Sequence, residues 1–296
     1  MTTEERVLDW DKWKCRCSAI SKMMANSKDN PPLTEKQEIE LAELEARATR
    51  TDKMNLRVAE LVEKRTRSAD VVLSDTCIGY LLEAYAWETE KMCNVTKEMD
   101  VEYFERGKKT EPESIKLLVE VDNKQYIKNE YRFDNDFLSG IPDVLGLPAD
   151  IEAPTAPESI KDIKSCQDYP TFLYKIHKGV DPGNAEQLQG YGDIMNCRDL
   201  SVIFTLPTMP ESIRNSYKMR LAYKMDEVTT ESPTFLRAWA ELERSMVFGH
   251  MPAGKRVYKV PVEPFTTAEQ QAVYERVKVC REWLNNFHEM YQQLNK

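Results

Sequence analysis

Asp162 and Lys164 flank Ile163 in Ser159-Ile160-Lys161-Asp162-Ile163-Lys164-Ser165, and Asp143 closes the run Gly140-Ile141-Pro142-Asp143 19 residues earlier. On a strand, alternate side chains share a face, so Asp162 and Lys164 point one way while Ile163 packs behind. A carboxylate beside an ammonium suits metal-assisted phosphodiester cleavage. Hard carboxylate oxygens bind Mg²⁺ or Mn²⁺, and the ammonium orients or helps deprotonate an attacking water whose pKa the metal lowers. Asp143 offers a second carboxylate to the same metal. The D-x-K pattern alone carries little, because singly it reads as a solvated strand pair. Asp122-Asn123-Lys124 repeats it in a polar, turn-like context. The separation of 19 residues, about what a strand, a loop and a second strand need, sets Asp162 apart.

These residues need a sheet to hold them, and the surrounding sequence supplies one. A helix is expected from Val101 to Val119, then extended segments Gln125–Phe133 and Phe137–Leu145 about a polar turn, Asp134-Asn135-Asp136. Residues 148–158 hold three prolines and read as a loop. A short strand over Ser159–Cys166, a helix over Asn184–Asn196, a strand over Leu200–Leu206 and a long helix over Thr267–Leu294 follow. Before residue 100 the chain reads as helical. An apolar stripe through Tyr80, Leu81, Ala84, Tyr85 and Trp87 follows the capping residues Ser74 and Asp75. Two amphipathic helices are expected between Thr34 and Arg67, broken near Thr49–Asp52. The fold class is therefore α/β, a central mixed β-sheet flanked by helices, with a helical N-terminal region. The expected division is 1–100 for that region, packed on the core, and 101–296 for the core with its C-terminal helix.

Composition narrows the function classes. With 296 residues, 41% hydrophobic and 31% charged, the chain can bury a core without disulfides. No apolar run approaches the roughly 20 residues a bilayer requires. The acidic start MTTEERVLDWDKWK does not read as a signal peptide, so a cytoplasmic protein is expected. Seven scattered cysteines fit reduced thiols. Cys15 and Cys17 have no second close pair to complete a metal site, and His177, His250 and His288 are isolated. A net charge of −9 argues mildly against nonspecific nucleic-acid binding. The distribution of charge matters more than its total, since a metal site must itself be acidic.

Asp143 with Asp162-Ile163-Lys164 resembles the PD-(D/E)XK nuclease signature, and two further motifs narrow the resemblance. Arg106-Gly107-Lys108-Lys109-Thr110-Glu111-Pro112-Glu113-Ser114 is similar to the G-x-x-x-E-P-x-A helix of the branch holding phage lambda-type exonucleases, YqaJ-like viral recombinases and RecB-like nuclease domains. Gln187-Leu188-Gln189-Gly190-Tyr191 is similar to that branch's Q-x-x-x-Y helix. Each has a bland reading: Glu111 and Glu113 as acids favoured by a helix dipole, Gln187 and Tyr191 as a helix surface and a core aromatic. The resemblance rests on the order of the whole set, across residues 100–206. It departs from the pattern in Asp162 where many relatives have glutamate, and in Ser114 where alanine is usual.

The resemblance implies a restriction-endonuclease-like core and a metal-dependent DNA exonuclease acting at linear duplex ends. Glu111, Asp143, Asp162 and the Ile163 carbonyl would hold Mg²⁺, with Mn²⁺ as substitute. Lys164 would position water, and Gln187 and Tyr191 would support Lys164 or the phosphate. No iron–sulfur cluster is expected, because only Cys280 lies in the C-terminal region. The resemblance further implies a bacterial or phage-infected cell, a single-strand annealing protein as partner, and possible rings of the kind lambda-type relatives form. For DNA contact the candidates are Lys161, Arg214 and Lys218 near the core, and Arg16, Ser18, Ser21 and Lys22 in the segment resembling the family's grip on a terminal phosphate. Two rivals stay open: a non-catalytic DNA-binding or assembly protein with the same fold, and a structure-specific endonuclease.

Overall fold

The computed structural model describes residues 8–26, 33–69, 72–93, 101–148, 157–226 and 229–294. Most of the expected loop at 148–158 lies outside the described residues. The described chain divides into two compact units. One draws on Met1–Trp13, Ser21–Cys93 and Gln271–Lys296, the other on Lys14–Ile20 and Asn94–Gln270. The division differs from a cut at residue 100 in two places. Residues 14–20 belong with the unit that holds the sheet, and the long C-terminal helix from Gln271 onward belongs with the helical unit.

The elements in chain order are β1 (Cys15–Arg16), α1 (Ile20–Met23), α2 (Glu35–Glu45), α3 (Asp52–Ala69), α4 (Asp75–Glu90), α5 (Val101–Asp122), β2 (Tyr126–Lys128), β3 (Phe133–Asp134), β4 (Leu138–Gly140), β5 (Val144–Gly146), β6 (Ser159–Ser165), α6 (Tyr169–Lys178), α7 (Pro182–Met195), β7 (Asp199–Thr205), α8 (Glu211–Lys224), α9 (Pro233–Arg244), β8 (Val257–Val262) and α10 (Thr267–Leu294). A five-stranded sheet runs β2-β5-β6-β7-β8, and a three-stranded one β1-β4-β3. In the larger sheet β6 and β7 are parallel while the remaining pairs are antiparallel. The parallel pair needs a crossover, which α6 and α7 provide.

Helix α5 packs against β6 and β2, and α7 against β7, β4 and β6. The two helices take opposite faces of the sheet. Ser114 of α5 bonds the side chains of Ser165 and Thr205, whereas Gly192 of α7 abuts Leu200, which alternation places on the other side. Asp162 and Lys164 therefore look toward α7, and Lys161, Ile163 and Ser165 toward α5.

The two long extended segments expected at 125–133 and 137–145 are four short strands shared between the two sheets. Pro142 cannot donate to a ladder, so the second run breaks between Gly140 and Val144. In the first, Asn129 leaves the strand and its side chain takes over backbone partners. Asn135 ties the expected turn, its Oδ1 accepting from the N–H groups of Phe137 (2.9 Å) and Leu138 (2.8 Å).

In the helical unit, α2 and α3 enclose Leu41 and Leu61 with Leu33. Thr34 caps α2 in a reciprocal capping box with Gln37. Ser74 caps α4, accepting from the N–H of Cys77 at 3.2 Å. Trp10 stacks on Tyr85 with ring centroids 5.2 Å apart, and the Tyr85 hydroxyl meets His288 Nδ1 at 2.9 Å. No described helix is long and apolar enough to cross a membrane.

Candidate active site

The antiparallel register of β5 and β6 pairs Val144 with Lys161. One step further sets Asp143, the residue before β5, opposite Asp162. Asp162 is buried. Burial and the neighbouring charge of Asp162 push the Asp143 carboxyl up to about 8; a hydrogen bond with Asp162 and the charge of Glu111 add to this, and Lys164 opposes it. Two carboxyls that close cannot both ionise without a cation between them. Lys164 Nζ lies 3.0 Å from each oxygen of Asp162 but donates only to Oδ1. The other oxygen, Oδ2, is buried and forms no aligned hydrogen bond with that ammonium. One ammonium thus serves two adjacent carboxyls, which leaves the pair short of positive charge when both are ionised.

Asn129 fixes the backbone that carries Asp143. Its N–H donates to the Asp143 carbonyl at 2.9 Å, and its side-chain Nδ2 donates to the carbonyls of Pro142 (3.0 Å) and Tyr131 (2.8 Å). Nothing in the sequence marks Asn129 beyond its place in a polar stretch.

Glu111 comes from mid-α5, one residue before Pro112, which lacks the N–H that would bond the Lys108 carbonyl. Its Oε2 is held 2.7 Å from Lys128 Nζ of β2. Among the described residues, no three His, Cys, Asp or Glu side chains converge as a ready metal cage. Thus Asp143 and the buried Asp162 meet, while Glu111 lines one cleft with Asp143, its carboxylate paired with a lysine. The donor set fits a hard divalent cation: a buried carboxylate oxygen without an aligned hydrogen bond, a protonated carboxyl beside it, and a third acid within the cleft, all oxygen donors.

That cleft encloses about 940 Å³. Five basic side chains line it (Arg106, Lys108, Lys128, Lys164 and Lys175) against three acidic ones (Glu111, Glu130 and Asp143), on a chain of net charge −9. The cleft favours an anion that the protein as a whole repels. Lys175 reaches it from α6, stacked over the Phe204 ring at 6.0 Å. Helix α6 was not expected from the sequence, although Asp168 caps it by accepting from the N–H of Thr171 at 2.8 Å, and Pro170 stands in its first turn. Of the lining bases, Arg106, Lys108 and Lys128 have no role assigned from the sequence. All three belong to elements that the sequence placed but did not orient.

Gln187 and Tyr191 do face the same way on α7: Gln187 Nε2 donates to the Tyr191 hydroxyl at 2.9 Å. Burial raises the Tyr191 phenol above its ordinary pKa, which keeps it a neutral donor. Asp143 and Asp162 lie near enough for their charges to add to that rise. Gly140 makes this packing possible, since a β-carbon there would stand 2.4 Å from the Tyr191 ring.

Ser114, the departure from alanine, sits in a buried hydroxyl cluster. Thr205 Oγ1 donates to Ser114 Oγ at 2.8 Å, Ser165 Oγ lies 2.8 Å from it, and Ser114 reaches the Thr110 carbonyl at 3.2 Å. The cluster pins α5, and with it Glu111, to the ends of β6 and β7. The decoy Asp122-Asn123-Lys124 proves to be the end of α5. Asn123 takes a left-handed conformation (φ 50°), and Asp122 accepts from the Tyr126 hydroxyl and pairs with Lys259.

The residues expected to touch DNA do not gather in the cleft. Lys161 is buried on the α5 face of the sheet, its ammonium 2.7 Å from Asp199 and 3.3 Å from Ser201. Strand alternation carries it away from Asp162. Arg214 pairs with Glu243 at 2.6 Å and Lys218 lies over the Trp239 ring, so both brace α8 against α9. Arg16 and Ser18 are exposed at and just after β1. Ser21 and Lys22 lie in α1 and fall in the helical unit.

No protein-family model matches the sequence, and no curated protein matches it. Solved structures share its fold. A phage-related exonuclease from Haemophilus somnus 129PT superposes with a TM-score of 0.55 at 16% identity, over 95% of this chain and 97% of that one. An alkaline exonuclease, LHK-Exo from Laribacter hongkongensis, gives 0.51 at 10% identity over 95% and 93%. The same enzyme in complex with dAMP gives 0.52 at 10% identity over 96% and 94%. The fold is thus α/β with a restriction-endonuclease-like core, a mixed sheet flanked by helices.

Proposed function

We propose that this chain is a metal-dependent DNA exonuclease that hydrolyses phosphodiester bonds from linear duplex ends, with Mg²⁺ as its ion and Mn²⁺ as substitute. The observation that carries the reading is the pairing of Asp143 with Asp162 beside Lys164, at a cleft whose lining is more basic than the rest of the chain. The fold shared with a phage-related exonuclease and with LHK-Exo, seen with dAMP in one structure, supports nucleic acid as substrate. A protein that only bound DNA would gain nothing from buried acids facing phosphate.

Asp143, Asp162, Glu111 and the Ile163 carbonyl would hold the ion, which supplies charge stabilisation and an acidified water when bound. Asp162 also holds Lys164 by the 3.0 Å contact, which keeps that ammonium over the site to orient the attacking water. Gln187 and Tyr191 close the face behind it, and the basic lining receives the scissile phosphate. We place the activity in phage-type recombination beside a single-strand annealing protein, in the cytoplasm.

End-labelled linear duplex incubated with Mg²⁺ or with EDTA tests this directly. Wild-type protein should release label only with metal, Asp162→Ala should release none, and closed circular DNA should survive both. Nicked circles would make the enzyme an endonuclease. DNA bound but left whole with Mg²⁺ and with Mn²⁺ would reduce it to a binding protein.

A further inference from the structure

Lys128 stands at a place that no motif assigns. It ends β2, pairs in register with Val144, and so lies next to the strand position of Asp143. Its ammonium is 2.7 Å from Glu111 Oε2, with the lysine side chain 45% exposed and the glutamate 19%. The same side chain lines the cleft. Among the described residues, Glu111 is the expected ligand that pairs with a cation outside the Asp-x-Lys pair. While that contact holds, one oxygen of the Glu111 carboxylate is committed to the ammonium.

We propose that Lys128 is a resident counter-ion, which a divalent metal must displace from Glu111 and which a DNA phosphate in the cleft then receives. The inference rests on the nuclease reading above and deepens it. Metal and ammonium compete for one carboxylate, so the pair holds metal affinity down in the free protein. Phosphate offers the ammonium another partner, so DNA and metal bind cooperatively by linkage. Lys128 is a positioning residue here, with no bond to make or break.

Mn²⁺ uptake, read from the electron paramagnetic resonance of the free ion, separates the possibilities without any turnover. Wild type, Lys128→Met and Lys128→Arg are titrated with and without a short duplex whose end linkages are phosphorothioates. Asp162→Ala serves to subtract uptake elsewhere on a chain of charge −9. Without DNA, Lys128→Met should bind Mn²⁺ about two- to fivefold more tightly than wild type, the range expected from releasing a partly exposed ion pair. The gain in Mn²⁺ affinity that DNA confers on wild type should shrink in this variant, and Lys128→Arg should behave as wild type in both respects. Equal or weaker binding by Lys128→Met, or an undiminished DNA effect, overturns the proposal while leaving the nuclease reading intact. Absence of Asp162-dependent uptake in all three proteins would overturn both.

Discussion

Gly140 and Tyr191 approach so closely that a β-carbon on the glycine would lie 2.4 Å from the tyrosine ring. The glycine of the Gly-Ile-Pro-Asp run and the tyrosine of the Gln187–Tyr191 helix are thus one fitted contact, although 51 residues separate them. Gly140→Ala should therefore push the ring off its site and break the 2.9 Å bond to Gln187. The expected cost is about 1–3 kcal/mol of stability from overpacking, read from the urea midpoint. Nuclease activity should fall by more than the loss of folded protein explains. Activity that tracks the folded fraction alone would sever the tyrosine from the site.

The Asp143 carboxyl predicts how stability depends on pH. In the folded protein burial and its acidic neighbours hold its pKa at about 8, against 3.8 ordinarily. Between those values the folded form keeps a proton that the unfolded chain has released, so rising pH favours unfolding across that window. Metal-free wild type should lose stability from about pH 4 to pH 8 through this group, and Asp143→Asn should flatten that slope. Metal should displace the proton. Calorimetric titration with Mg²⁺ near pH 7 in buffers of different ionisation enthalpy should then register proton release, and Asp143→Asn should abolish it. A buffer-independent heat in wild type would contradict the raised carboxyl.

The cluster of Ser114, Ser165 and Thr205 yields a stability test apart from the chemistry. Ser114→Ala leaves the fully buried Thr205 hydroxyl without its acceptor. The loss should be about 1–2 kcal/mol, the usual penalty for orphaning a buried polar group. Adding Thr205→Val should restore part of it, because removing both partners removes the unmet donor. Chemical denaturation of the single and double variants decides the matter. A double variant no better than the single would mean that the hydroxyls do not depend on each other.

The elements that the sequence disclosed are those with a strong period or a sharp boundary. Helix α10 spans the expected Thr267–Leu294, and β6 and β7 fall within a residue or two of their expected bounds. The alternation that put Asp162 and Lys164 on one face follows from strand geometry alone. The same rule, applied one residue back, sends Lys161 to the other face and into a buried pair with Asp199. Its closeness in sequence to the Asp-x-Lys pair suggests DNA contact, but nearness in sequence is not nearness in space. Arg214 and Lys218 illustrate a different gap. A basic helix looks the same in sequence whether its charges meet solvent, Glu243 or a tryptophan ring. Edge strand β8 was hidden by Pro261, tolerable there because β8 has one neighbour only. The Lys128–Glu111 contact depends on two elements meeting at a rotation that no local pattern records.

Asn129 bears on when the site acquires its shape. Its side-chain amide spans the carbonyls of Pro142 and Tyr131, and its backbone binds Asp143. The loop carrying the first carboxylate thus surrenders its freedom during folding, and an ion bound as proposed would meet an acid already in position. Ordering entropy that binding would otherwise have to supply is absorbed by the cooperative fold. A chain lacking that amide would keep every ligand and still bind more weakly, with the deficit appearing in the entropy of association.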